Sequence, residues 1–270
     1  MSTPERLLAA SARPVYLLAD SRLLFGLGKD APGGLPARLR AELAASGGLG
    51  PFTAAYLGAS NGDEPAFYEI FEAAMEQLGV ARRRFVRSRP APGDLDFLSS
   101  ADLILLAGGD VLRGWRAFEA AGVAELIGRR YREGAILVGV SAGAVQLGGG
   151  WLAAGEGGDG GDGGDGGDGG EERIVPTAGL LPFMIDAHDE PGWAHLRRTM
   201  PRAPGHLAGL GIPLGGAAVV APDMTLEPLE KAVLELFHQD GTWREALLVP
   251  RAPRPAAFPL PPFPAAVAGP

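Results

Sequence analysis

The apolar positions of this 270-residue chain fall into two kinds of run. Val15–Ala19, Thr53–Ala59, Asp102–Ala107 and Ala135–Val140 are short and nearly continuous, which predicts buried strands. Arg82–Arg87 predicts another. Between them the spacing turns helical. Leu35–Ala45 predicts a helix closed by Gly47-Gly48, and Pro65–Leu78 predicts one that begins on its proline. Phe67, Phe71, Ala74, Met75 and Leu78 would share one face of that second helix. Leu23–Pro36 reads as a loop, and helical stretches extend from Asp110 through Arg132. Strands that alternate with helices predict an α/β fold: a three-layer α/β/α sandwich around a mostly parallel sheet.

The second half of the chain is less regular. Residues 155–172 read GEGGDGGDGGDGGDGGEE, a period-three segment without apolar residues that predicts a disordered loop. Its Asp159, Asp162, Asp165 and Asp168 have neither EF-hand nor calcium β-helix spacing, so no metal site is expected. Arg173–Pro176 and Phe183–Asp186 follow, then a helix near Trp193–Met200 and strands at Ala217–Ala221, Val233–Phe237 and Ala246–Val249. A proline-rich tail occupies 250–270. The expected organisation is an arm at 1–13, one α/β domain at 14–249 carrying the Gly/Asp insertion, and the tail.

Composition narrows the function. A formal net charge of −8 lacks the basic footprint of a nucleic-acid binder. The absence of cysteine excludes thiolate chemistry and cysteine-ligated metals. No secretory signal or membrane span is predicted, so a cytoplasmic protein is expected.

The sharpest chemical signal is Gly139-Val140-Ser141-Ala142-Gly143. It matches G-x-S-x-G, after an apolar strand and before a small-residue helix. Such a turn projects the Ser141 hydroxyl at the C-terminal edge of the sheet, where open α/β folds place ligands. Gly108-Gly109-Asp110 ends the preceding strand at the same edge. Its backbone N–H groups, beside that of Ala142, could hold an oxyanion; Asp110 also suits a helix N-cap. A serine needs a base. Of His188, His195, His206 and His238, His188 follows an apolar run that ends at this edge, whereas His195 is expected on a surface helix. Trp115 and Trp193 are expected in the core, and Arg197 and Arg198 on a solvated helix face.

LLAGGD followed by ILVGVSAGA, together with YLGASNGD (Tyr56–Asp63) and GLLPFMIDAH (Gly179–His188), resembles the serine peptidase family of dipeptidase E and cyanophycinase. The resemblance implies a class I glutamine amidotransferase-like, flavodoxin-like fold. It implies Ser141 as nucleophile, His188 as base and Gly109 and Ala142 as oxyanion-hole amides. It implies no cofactor and no metal. Two departures stand out. Leu214, in Gly211–Ala217, occupies the place of the family's triad Glu, leaving Asp110, Asp186, Asp189 and Glu190 as alternative acids or substrate contacts. Ala187, Asp189-Glu190-Pro191 and Val111 replace residues with which cyanophycinase meets its substrate. The expected activity is cleavage of a small peptide or amide through an acyl-enzyme, with neither nucleic acid nor membrane as partner and a homodimer compatible. The alternative is a catalytically impaired relative that binds a ligand or partner. Glutamine hydrolysis of the amidotransferase type is disfavoured, since no cysteine exists.

Overall fold

A computed structural model describes residues 12–25, 34–45, 51–154, 172–188, 192–250 and 254–255. In chain order the first half contains β1 (Val15–Leu18), α1 (Leu35–Ala45), β2 (Thr53–Leu57), α2 (Pro65–Gln77), β3 (Arg82–Val86), α3 (Pro92–Leu98), β4 (Leu103–Leu106), α4 (Val111–Ala120), α5 (Val123–Arg132), β5 (Ile136–Val140) and α6 (Ala142–Leu147). The second half contains β6 (Gly150–Ala153), β7 (Arg173–Pro176), β8 (Phe183–Ala187), α7 (Ala194–Thr199), β9 (Ala208–Ile212), β10 (Ala217–Val220), β11 (Thr225–Leu229), β12 (Val233–Gln239), β13 (Thr242–Leu248) and β14 (Arg254–Pro255).

The central sheet has the order β14-β11-β10-β1-β5-β4-β2-β3. From β1 to β3 it is parallel, and β10, β11 and β14 extend it antiparallel. Alternation along each strand decides the layers. Tyr16, Leu18, Tyr56, Leu105 and Val138 face one side and pack under α1 and α2, with Leu39, Leu43, Phe71 and Met75. Leu17, Leu57, Ile104, Leu106 and Leu137 face the other, against α4, α5, α6 and the inner face of a second sheet. The predicted three-layer α/β/α architecture is therefore present. The second sheet, β13-β12-β9-β8, buries its outer face under α7 through Met184, Trp193, Leu196 and Leu236. Among the described residues no helix is long and apolar enough to cross a membrane.

Several local expectations change. The stretch read as loop includes a 3-10 helix at Ser21–Phe25. α3 was not expected: Pro92 stands in its first turn, and the Asp94 carboxylate accepts a hydrogen bond from the Ala91 N–H at 3.0 Å. Of the residues expected on one face of α2, Phe71, Ala74 and Met75 are buried whereas Phe67 is half exposed. The strands β6, β9 and β11 were also not expected. The Gly/Asp segment at 155–171, the arm at 1–11, Gly47-Gly48 and most of the tail lie outside the described residues.

Candidate active site

β5 ends in a turn whose close contacts account for both motif glycines. A Cβ on Gly139 would lie 2.6 Å from the Ala144 backbone, and one on Gly143 would lie 2.1 Å from the Leu106 carbonyl oxygen. Only glycine lets α6 start against β4 and β5 this tightly. The turn holds Ser141 at φ 50° and ψ −113°, outside the regions that L residues favour. Its N–H is anchored to the Leu18 carbonyl at 2.8 Å. Such backbone conformations cost about 1–3 kcal/mol and cluster at functional sites.

The Ser141 Oγ lies 2.9 Å from His188 Nε2. His188 follows β8, also with a positive φ of 58°, and its N–H donates to the Ile212 carbonyl at 2.8 Å. β8 and its parallel neighbour β9 thus carry the imidazole to the hydroxyl. The contact pairs the residues that the sequence proposed as nucleophile and base.

Gly109 and Ala142 line one cavity together with Ser141 and His188. Among the described residues neither the Gly109 nor the Ala142 N–H donates a hydrogen bond. Gly109 has φ 128°, and a Cβ there would meet the Ser60 carbonyl oxygen at 2.2 Å. That carbonyl fixes the turn: it accepts from the Asp110 N–H at 2.8 Å and from the Arg113 guanidinium, whose Nε is 3.2 Å away. Ser60 is itself buried and accepts at Oγ from Gln146 Nε2 at 3.0 Å. The SNGD segment, read from the sequence as a turn, is therefore the clamp on the glycine pair. Nothing in its composition marked the contact.

The two described alternative acids, Asp110 and Asp186, have partners other than His188. Asp110 caps α4 by accepting from the Arg113 N–H at 2.6 Å. Asp186 is buried, but its Oδ2 lies 3.5 Å from His195 Nδ1. Asp189 and Glu190 lie outside the described residues. Among the described residues Ser141 is the side-chain partner of the His188 ring. Leu214, on the β9–β10 turn, lines the same cavity as His188 with a side chain that can accept no proton.

His195 is half buried rather than on an exposed surface. It stacks on Trp151 at 3.9 Å and has Nε2 3.2 Å from the Leu152 carbonyl oxygen. Burial disfavours its charged ring, but the Asp186 carboxylate and that carbonyl outweigh it, so its pKa is raised. His206 and His238 are exposed and distant in the chain from the serine turn. Trp115 and Trp193 are core residues, as expected. Arg197 pairs with Glu245 at 2.8 Å, and Arg198 faces Glu172 at 3.9 Å.

Ser141 stands between two cavities. The larger, about 410 Å³, is walled by Leu24, Tyr56, Phe67, Ile70, Phe71 and Leu214. The smaller, about 260 Å³, is bordered by Asp110, Trp151 and Asp186. Trp151 carried no sequence signal for this place, because β6 was not expected. Among the described residues no cluster of His, Cys, Asp or Glu could hold a metal ion.

Residues 53–150, from β2 through the serine turn, match the model of Peptidase family S51. A peptidase from an acI-B1 Actinobacterium has the same fold with a TM-score of 0.66 at 16% identity, over 91% of this chain and 97% of that one. A candidate peptidase E from Listeria monocytogenes EGD-e aligns with a TM-score of 0.51 at 15% identity, over 84% of this chain and all of its own. No curated protein sequence matches the chain.

Proposed function

We propose that this chain, a relative of Peptidase family S51 through residues 53–150, is a serine-type peptidase that uses Ser141 and His188. The reading is carried by the 2.9 Å contact between Ser141 Oγ and His188 Nε2 at the end of a strained strand-to-helix turn. His188 Nε2 takes the hydroxyl proton as Oγ attacks the carbonyl carbon of a peptide or amide. The negative charge that forms on the carbonyl oxygen is received by the N–H groups of Gly109 and Ala142, neither of which is engaged within the described residues. The C–N bond then breaks and the imidazolium returns the proton to the leaving amine. Water, deprotonated by the same imidazole, releases the acyl group from Ser141.

The test is digestion of a mixed short-peptide library by purified protein, read by mass spectrometry beside Ser141→Ala and His188→Ala. Cleavage by the wild type and by neither variant is expected. Cleavage that persists in Ser141→Ala would overturn the assignment.

A second reading is favoured by one observation. Leu214 faces the cavity where the family has its acid, and no described carboxylate meets His188. Loss of the orienting acid in a triad costs about 10⁴ in kcat. On this reading the site binds a peptide-like ligand without turning it over, and the library would be retained but not cut.

A further inference from the structure

From the larger cavity beside Ser141 we infer that the substrate carries a bulky apolar side chain next to the scissile amide. This rests on the proposed placement of the reaction at Ser141. Phe67, Ile70 and Leu214 are large apolar side chains left 50%, 38% and 46% exposed, and all three border this one cavity. Scattered exposed apolar residues are ordinary, but a cluster that lines a concave site marks a ligand surface. Phe67 and Ile70 are three residues apart on α2 and so lie on one face, with buried Phe71 beneath them.

Three polar side chains of the wall, Asp20, Asn61 and Arg113, already have partners. Asp20 is held by Arg22 at 2.8 and 2.9 Å and accepts from the Gly215 N–H at 2.8 Å. Asn61 donates to the Tyr56 hydroxyl at 2.7 Å and accepts from the Glu64 N–H at 3.2 Å. Arg113 is bound to the Ser60 carbonyl. What the wall has left to offer a ligand is mainly apolar contact. Its volume, about 410 Å³, accommodates an aromatic or branched aliphatic side chain together with the adjoining backbone.

Leu214 also gives the edge of the pocket an apolar wall. A carboxylate there would have to be desolvated by an apolar side chain bound beside it.

The experiment separates binding from chemistry. Full-length Ser141→Ala protein, which cannot form an acyl-enzyme, is titrated with N-acetyl-Gly-X-Gly-amide peptides in which X is Phe, Leu, Asp or Arg. Binding is followed by isothermal titration calorimetry. Phe and Leu peptides are expected to bind about 10- to 100-fold tighter than Asp and Arg peptides, the ratio expected for burying one large apolar side chain. Phe67→Asp and Ile70→Asp, each added to Ser141→Ala, are expected to remove most of that preference. Both positions are solvent-exposed, so the fold is expected to survive, and circular dichroism checks it. Equal or tighter binding of the Asp or Arg peptide, affinity unaltered in both aspartate variants, or no binding of any peptide would overturn the inference. Apolar selectivity in a protein whose wild type cleaves nothing would retain the pocket and remove only the hydrolytic reading.

Discussion

Ser141 and Gly109 show how much a single backbone position contributes to this site. Ser141 is held in a strained conformation by the close packing of Gly139 and Gly143. Gly109 has no room for a side chain, because the Ser60 carbonyl oxygen fills the Cβ position at 2.2 Å. Gly109→Ala is therefore expected to push the turn away from Ser60 and lose one oxyanion donor. Removal of such a donor costs about 10²–10³ in kcat. The rate of Ser141 acylation by an activated ester should fall by about that factor, together with a lower melting temperature. An unchanged rate would take Gly109 out of the oxyanion hole. The G-x-S-x-G glycines were legible in the sequence because their spacing is a motif. The Ser60 clamp was not, since it acts through a backbone carbonyl brought in from another loop.

At the scale of elements, β8 delivers two histidine interactions with different consequences. His188, just past its end, reaches Ser141, whereas Asp186 inside the strand turns to His195 on α7. The sequence MIDAHDE shows both residues but not which way each points. Asp186→Asn separates the roles. Were Asp186 the orienting acid of His188, the acylation rate should fall by about 10⁴. The observed geometry predicts a change of less than about 3-fold, far below that loss. The variant should instead affect stability. The folded-state pKa of His195 is raised, so its pairing contributes stability below the ordinary histidine pKa of 6.5 and loses it as pH rises through the folded value. The melting-temperature deficit of Asp186→Asn should accordingly be largest in mildly acidic buffer and shrink above neutrality. A deficit that grows with pH would contradict the pairing.

The same scale explains which elements the sequence hid. β9 reads AGLGI, a poor strand by propensity. Its glycines make room for neighbours. A Cβ on Gly209 would lie 2.9 Å from Met200 Sδ, and one on Gly211 would lie 2.9 Å from the Trp193 ring. The composition of β9 therefore records the bulk of the two residues that flank α7 rather than its own secondary structure. α2 was visible from its spacing, but periodicity cannot tell a core face from the wall of a cleft, which is where Phe67 stands.

For the whole molecule, the parallel half was the legible part. Continuous apolar runs buried on both faces leave little choice but a sheet between helices. The antiparallel extension through β10, β11 and β14, and the second sheet, depend on pairings between distant segments that no local pattern encodes. Those additions bring His188 and Leu214 to the edge where Ser141 emerges. On the proposed reading this assembly yields an activated serine although Leu214, which lines the same cavity as His188, can accept no proton. The most direct test of that reading is covalent labelling of the purified protein with a fluorophosphonate, read by intact mass beside Ser141→Ala and His188→Ala. The account predicts a single adduct on the wild type, none on Ser141→Ala and a strongly slowed reaction in His188→Ala. A folded wild type that stays unlabelled, or one that reacts no faster than Ser141→Ala, would contradict it.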